Sequence, residues 1–117
     1  MTPYAGQIKH VELLERDKAQ TTLLKVYRNN SQIIPSSATY SLKKPNGDYI
    51  LEDATANIDV EGTISYNHTT TQISSDLNLG EGYLQEWKVT IESVEHIFRR
   101  TSAIVLRRLY PVVSDID

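Results

Sequence analysis

Hydrophobic and polar residues alternate most strictly along residues 83–92 of the chain. Side chains of a β-strand point alternately to opposite faces, so this alternation predicts a strand with one packed and one solvated face. On the solvated face, which is largely polar, we expect Glu86 and Lys88 to remain in water. The inward face comprises Tyr83, Gln85, Trp87, Val89 and Ile91.

Two turn motifs predict hairpins earlier in the chain. A strand that starts at Thr21 ends at Arg28-Asn29-Asn30-Ser31, and Gln32-Ile33-Ile34 returns as the second arm. The next strand ends at Lys44-Pro45-Asn46-Gly47-Asp48, where proline presets the first turn position and Asn-Gly supplies the positive φ. Tyr49-Ile50-Leu51 is then the returning strand.

The other segments have less regular patterns. Residues 54–61 alternate and direct Ile58 and Val60 toward the core. Residues 7–17 fit either a short helix or an irregular lead-in strand, and the polar residues 67–76, which include His68, fit a loop or a weak edge strand. A last strand from Ala103 to Tyr110 stops at Pro111.

The strands and turns together predict the fold. Roughly seven to nine short strands at regular spacing are typical of an antiparallel sandwich. Leu79-Gly80-Glu81-Gly82-Tyr83 has the layout of the tyrosine corner found in immunoglobulin-like sandwiches. We therefore predict an all-β fold, a single antiparallel immunoglobulin-like β-sandwich over residues 21–113, with 1–20 as an N-terminal arm or lead-in segment and 114–117 as a C-terminal tail. The predicted structural core is Trp87, Tyr83, Val89, Ile91, Tyr40 and Leu42.

Size and composition narrow the possible classes of protein. A chain of 117 residues has the length of one domain, and such a domain can bury a core without a metal or a disulfide. Because cysteine is absent, disulfides and thiol-rich zinc sites are excluded, which fits a protein made in a reducing cytoplasm. A net charge of -3 provides no general attraction to nucleic acid. Neither a membrane span nor a secretory signal is predicted.

No combination of residues predicts catalysis or a bound cofactor. His10, His68 and His96 lack the spacing of metal ligands. Gly80-Glu81-Gly82 lacks the lysine and the following helix that a phosphate loop requires. Asp48, Glu52 and Asp53 do not match a calcium loop and are better interpreted as solvated turn acids. We predict a protein that is not an enzyme and that has no catalytic, cofactor-binding or metal-binding residues.

Charged residues are distributed unevenly along the chain. Arginines are concentrated in a late segment, whereas acids lie in the middle at Glu52, Asp53, Asp59 and Glu61. The two sets could pair across neighbouring strands, or the arginines could bind an acidic partner. Tyrosines near the ends of elements could anchor a partner as well. The candidate interface residues are Arg99, Arg100, Arg107, Arg108, Tyr4 and Tyr110.

Several stretches together resemble a group of small virion proteins of tailed bacteriophages. The resemblance covers residues 23–117, whereas residues 7–18 match nothing in that group. The stretches that carry it are Ser36-Ser37-Ala38-Thr39-Tyr40-Ser41-Leu42, Pro45-Asn46-Gly47, Leu79-Gly80-Glu81-Gly82-Tyr83 with Glu86-Trp87, and Phe98-Arg99-Arg100 through Arg107-Arg108-Leu109-Tyr110-Pro111-Val112-Val113.

The resemblance implies a structural protein of a phage particle with an immunoglobulin-like sandwich. Such a protein would be made in the host cytoplasm, would reside in the virion in multiple symmetric copies, and would contact portal, neck, capsid or tail subunits. A head–tail connector or neck position is preferred, with capsid decoration or a tail position as alternatives. The other class that remains open is a recognition module that binds a carbohydrate or a host protein through loops such as residues 67–76.

Overall fold

A computed structural model describes residues 5–6 and 11–106 of the chain. These residues form an all-β structure without any helix, as the sequence predicts. They contain eleven strand segments, more than the roughly seven to nine predicted from spacing, because three segments are only two residues long. The segments are β1 (Ala5–Gly6), β2 (Glu12–Glu15), β3 (Gln20–Leu24), β4 (Val26–Arg28), β5 (Ser31–Gln32), β6 (Ser37–Lys43), β7 (Tyr49–Thr55), β8 (Asn57–Ile58), β9 (Ile64–His68), β10 (Gly80–Ile91) and β11 (Val94–Val105).

The strands form two main sheets and one small sheet. The larger sheet has the order β2-β11-β10-β6-β7, the second has the order β3-β9-β8, and β1-β4-β5 form the small one. All pairings are antiparallel except that of β2 with β11, in which Leu13 lies opposite Ala103. The described part of the fold is therefore mixed rather than wholly antiparallel. Residues 12–15, within the predicted N-terminal segment, belong to this sheet.

The predicted turns connect the strands as the sequence indicates. Asn29 and Asn30, both with positive φ, close the hairpin between β4 and β5. Gly47, with φ of 96°, lies in the turn between β6 and β7. These two turns are confirmed. In addition, β10 and β11 form a hairpin of twelve residues per strand, which begins with Ile91 opposite Val94.

Side chains from both main sheets share one hydrophobic core. All six predicted core side chains are at most 3% exposed. The Trp87 and Tyr40 rings lie 4.6 Å apart between their centroids. Leu24 and Ile64 contribute from the second sheet, and the half-buried Ile58 packs against the same cluster.

Val60 does not point into the core and is 90% exposed. The alternation that predicts a strand over residues 54–61 continues past the point where β8 ends at Ile58. Asp59 terminates the strand because its Oδ1 accepts hydrogen bonds from the backbone N–H groups of Glu61 and Thr63, each at 2.9 Å. Val60 therefore lies in a turn.

Glu86 is also placed differently from the sequence prediction, because it is 6% exposed rather than solvated. It lies on the outer face of β10, a central strand between β6 and β11. Arg99 lies opposite it, and the Arg99 Nε atom is 2.8 Å from Glu86 Oε2. Flanking strands and this ion pair thus cover the carboxylate. Lys88 is half-buried, with its Nζ atom 3.1 Å from Asp53 Oδ1.

The segments whose secondary structure the sequence left open, residues 7–17 and 67–76, contain strand residues and buried side chains. The described part of residues 7–17 contains strand β2, and no helix. His68 ends strand β9 and is buried, contrary to its expected position in a polar loop, and Ile73 in the following segment is fully buried. The strand predicted from Ala103 is the last part of β11, and its predicted end at Tyr110 lies outside the described residues, as does the tail 114–117.

Candidate functional site

A hydrogen-bonded polar cluster lies between the two main sheets, centred on Gln85 of β10. The Gln85 side-chain amide donates to the Tyr40 hydroxyl at 2.8 Å and to Thr22 Oγ1 at 3.2 Å. The Gln85 carbonyl oxygen accepts from Arg100 Nε at 2.8 Å. Because Thr22 belongs to β3, the cluster bridges the sheets. We call Glu12, Thr22, Tyr40, His68, Gln85 and Arg100 the inter-sheet cluster.

Arg100 is the cation of the inter-sheet cluster, and its side chain is 4% exposed. Its Nη2 atom donates to Thr22 Oγ1 at 3.1 Å and to the Leu23 carbonyl at 2.8 Å. The same nitrogen is 3.3 Å from Glu12 Oε1, which also accepts from the Thr22 hydroxyl. A buried charge is tolerated only when it is paired and hydrogen-bonded. These contacts meet that requirement for Arg100.

His68 extends the inter-sheet cluster toward the end of β9. Its Nε2 atom is 3.0 Å from the Tyr40 hydroxyl. Gln85 donates to that hydroxyl, and in the neutral tautomer with its proton on Nδ1, His68 Nε2 accepts the Tyr40 hydroxyl proton. His68 Nδ1 is buried and has no hydrogen-bond partner. An unpaired buried polar group destabilises a fold by about 1–3 kcal/mol.

Burial keeps the Tyr40–His68 pair in its neutral form. Desolvation lowers the pKa of His68 to about 4. Desolvation also raises the pKa of Tyr40 well above that of a free tyrosine, although the Gln85 hydrogen bond opposes the effect. His68 is 2% exposed and Tyr40 is fully buried, so neither side chain presents an atom to a substrate in solution. This arrangement favours a structural role for the pair.

The predicted interface arginines have different environments. Arg99 is 57% exposed and pairs with Glu86. Arg100 is internal, which corrects its assignment to an exposed interface: consecutive strand residues face opposite ways, and Arg100 lies opposite the inward Gln85. The other candidate interface residues, Arg107, Arg108, Tyr4 and Tyr110, lie outside the described residues.

The mid-chain acids do not pair with the late arginines in the described structure. Asp53 binds Lys88, and this hydrogen bond raises the pKa of Lys88. Asp59 bonds to backbone N–H groups of its own turn. Residues 11–106 contain no group of three or more histidine and acidic side chains arranged to hold a metal ion. His96 is half-buried on β11, and His10 is not among the described residues.

An open groove of about 250 Å³ lies at the end of the sandwich that contains the β6–β7 turn. Lys44 and Asn46 of the β6–β7 turn line it together with Asp76 and Asn78 from the segment before β10. Tyr83 lines it as well, and its hydroxyl donates to the Asn78 carbonyl at 2.7 Å. The groove therefore has polar walls of both charge signs.

Sequence reasoning did not predict the inter-sheet cluster, although the amino-acid sequence contains one indication of this cluster. The alternation of β10 places Gln85 on the apolar face, where its amide must find internal partners. A two-residue turn at Glu92-Ser93 would have paired Gln85 with Arg100 and directed the guanidinium inward. Glu12 and His68 carry no such signal, since their segments lack a regular pattern.

Comparisons of the chain with protein-family profiles, curated proteins and solved structures give no match. Among the described residues, the structure has no helix with the length and apolar character needed to cross a lipid bilayer.

Proposed function

We propose that this chain is a structural protein of a tailed-phage particle that acts by protein–protein assembly. Its position is at the head–tail interface in preference to the capsid surface or the tail. It resides in the virion in several symmetric copies, contacts other virion proteins, and catalyses no reaction. The proposal combines the resemblance carried by residues 36–47, 79–87 and 98–113 with the architecture of the described residues.

The proposal includes an immunoglobulin-like arrangement of the sandwich. The parallel pairing of β2 with β11 and the separation of β3-β9-β8 from the larger sheet support it. The 2.7 Å hydrogen bond from the Tyr83 hydroxyl to the Asn78 carbonyl supports it further, because a tyrosine corner bonds to backbone a few residues upstream. Gln85 stands two residues after this tyrosine, where antibody domains have an inter-sheet cysteine, and its bond to Thr22 spans the same sheets.

The observation that supports the assembly role is that the ionisable side chains of the inter-sheet cluster bond to partners inside the domain. Arg100, Glu12, Tyr40 and His68 are bonded to one another or to Gln85 and Thr22 within the domain. These contacts fix the two sheets relative to each other, as a subunit of a symmetric particle requires. The class of particle that we propose is based on the sequence resemblance.

Fractionation of particles tests this function. Virions from a host that produces the protein are purified by density gradient, and quantitative mass spectrometry measures the copy number per particle. We expect co-purification at a fixed copy number. The pair of substitutions Arg107→Glu and Arg108→Glu should lower incorporation, whereas Lys18→Glu, at an exposed lysine, should not. Absence of the wild-type protein from purified virions would contradict the assembly role.

A recognition module is the second candidate, and the groove beside Tyr83 favours it. Lys44 supplies a donor, Asp76 an acceptor and Asn78 both, which suits a hydroxylated ligand such as a sugar. Nuclear magnetic resonance titration of the isolated protein with a panel of monosaccharides distinguishes the candidates. Saturable shifts at Lys44 and Asn78 that disappear in Asp76→Ala would favour recognition.

A further inference from the structure

Three aliphatic side chains are exposed at one end of the sandwich. Among the described residues, the four most exposed large hydrophobic side chains are those of Val60, Leu106, Ile34 and Val94, at 90%, 65%, 62% and 55%. Leu106 follows β11 at the opposite end. The other three lie in or beside the β8–β9 turn, the β5–β6 connection and the β10–β11 turn. We call this end, with Ile34, Val60 and Val94, the hairpin end.

Contacts between the three connections show that they are neighbours. The backbone of Gly62 packs so closely on the Ile33 carbonyl that a β-carbon at Gly62 would overlap that oxygen. On the other side, the Ser36 backbone N–H donates to the Thr90 carbonyl at 2.9 Å. The β5–β6 connection therefore lies between the β8–β9 turn and the end of β10, and Ile34 lies between Val60 and Val94.

The connections at the hairpin end are also fixed in place. Gln32 Nε2 donates to Thr63 Oγ1 at 3.1 Å, and the Ile33 N–H donates to the Val26 carbonyl at 2.8 Å. Pro35, next to the exposed Ile34, is buried. A preformed surface loses little conformational freedom when a partner binds, so more of its contact energy appears as affinity.

Acidic side chains outnumber basic ones around the three aliphatic residues. Glu61 and Glu95 are exposed on either side of them. Among the described residues, the acids in or beside the three connections are Asp59, Glu61, Glu92 and Glu95, and the bases are Lys25 and Arg28. Lys88 lies farther along β10, close enough to Glu95 for that carboxylate to raise its pKa. An apolar centre with a charged rim is the usual anatomy of a protein interface, and the sign of the rim selects the partner.

We propose that the hairpin end is a docking surface for a protein that presents aliphatic side chains flanked by lysine or arginine. Its occupant is a different protein rather than a second copy in the same orientation, because two copies joined here would bring their acidic rims together. This inference rests on the proposed assembly function, for which it names the contact surface.

A peptide titration tests the chemistry of the surface without any particle. The methyl-labelled protein is titrated with an amphipathic peptide of leucine and lysine, and separately with the same peptide carrying glutamate for lysine. We expect the lysine peptide to shift the Ile34, Val60 and Val94 methyl resonances and the glutamate peptide not to. The pair Glu61→Lys and Glu95→Lys should weaken binding of the lysine peptide at least about tenfold, because it reverses the rim. Equal binding of both peptides, or shifts centred on Leu23 or Leu79, would overturn the proposal.

Incorporation into particles tests the same surface in its proposed context. The triple variant Ile34→Ser, Val60→Ser and Val94→Ser removes the apolar centre, and Leu23→Ser, at a half-exposed strand position, is the matched control. Both should remain folded, as circular dichroism checks, since each of the four side chains is at least 45% exposed. We expect the triple variant to be depleted from virions and Leu23→Ser to be incorporated normally. Normal incorporation of the triple variant would refute the proposed docking surface but not the assembly function. Absence of the wild-type protein from virions would refute the assembly function, and the peptide titration alone would then test the docking surface.

Discussion

The hydroxyl oxygen of Tyr40 and the Nε2 atom of His68 lie 3.0 Å apart in the interior of the sandwich. The pair joins β6 of the larger sheet to β9 of the second sheet. Tyr40 also accepts the amide proton of Gln85, and in the His68 tautomer protonated on Nδ1 the imidazole accepts the Tyr40 proton. The arrangement depends on His68 remaining neutral, which makes the stability of the protein sensitive to acid.

We expect the free energy of unfolding to decrease as the pH is lowered below 6.5, because His68 is buried in its neutral form. Its pKa is about 4 in the folded protein and near 6.5 in the unfolded chain. Between these values the unfolded state binds the proton more strongly, so the stability present above pH 6.5 is lost as the pH falls toward 4. The loss at pH 5 is about 2 kcal/mol.

Urea denaturation at several pH values between 8 and 5 measures this effect. His68→Gln should lower stability at pH 8 and flatten the dependence on pH. Because the two proteins share every other titratable group, the difference between their profiles isolates His68. Parallel profiles for wild type and variant would show that His68 does not control the acid sensitivity.

Arg100→Met should destabilise the protein by about 3–5 kcal/mol, because it leaves the partly buried Glu12 carboxylate without its cation. Adding Glu12→Gln removes the uncompensated charge and should recover part of the loss. A double-mutant cycle by chemical denaturation measures the coupling between the two residues. Additive effects would mean that the 3.3 Å ion pair contributes nothing to stability.

Tyr83→Phe should lower the free energy of unfolding by about 1 kcal/mol, since it removes the hydrogen bond from the Tyr83 hydroxyl to the Asn78 carbonyl. Tyr49→Phe is the matched control, because the Tyr49 ring is partly exposed and keeps its position under the Lys43 ammonium group. Thermal unfolding of the three proteins provides the comparison. Equal losses in both variants would argue against a specific role for the Tyr83 hydroxyl.

Trp87→Ala should cost about 3–5 kcal/mol, a large part of the 5–15 kcal/mol typical of a domain. Trp87 is fully buried against Tyr40, whereas Val60, which the alternation also directs inward, is in solvent. Val60→Ala should therefore leave the melting temperature unchanged. A large effect of Val60→Ala, or none of Trp87→Ala, would contradict the placement of these side chains.

The regular strands of this fold could be predicted because alternation reports directly on which face is buried. Trp87, Tyr40 and Leu42 lie at positions where a period of two is unbroken for several residues. Alternation does not report where a strand stops. The prediction that Val60 points into the core is wrong for that reason, since the side chain of Asp59 ends the strand. Alternation also does not report whether neighbouring strands and their side chains cover an outward-facing residue. The burial of Glu86 on the outer face of β10 could therefore not be predicted.

The inter-sheet cluster could not be assembled from sequence because its members come from six different strands. Gln85 and Tyr40 stand on clear apolar faces, while Arg100 lies beside a second arginine that faces solvent. One residue of register separates the buried arginine from the exposed one. Only the pairing of β10 with β11, set by their turn, decides which of them enters the core.

That turn is itself a target for stabilisation. Glu92 and Ser93 have φ of 52° and 66°, so both occupy the left-handed region that a type I′ hairpin turn requires. Residues other than Gly, Asn and Asp adopt this region at a cost, and Asn-Gly is the preferred sequence for it. Replacing Glu92-Ser93 by Asn-Gly should raise the free energy of unfolding by about 1 kcal/mol, because strain is relieved without altering the register.

The β4–β5 turn provides the control. Asn30 also has positive φ, at 64°, but asparagine already tolerates this conformation, so Asn30→Gly should change stability much less. Ser93→Gly alone keeps the Glu92 side chain and its contacts. It therefore measures the effect of relieving strain at Ser93 by itself. Urea denaturation of the three variants ranks them. A destabilising effect of Ser93→Gly would mean that contacts of Ser93 outweigh its strain, and it would contradict the expected gain from the Asn-Gly turn.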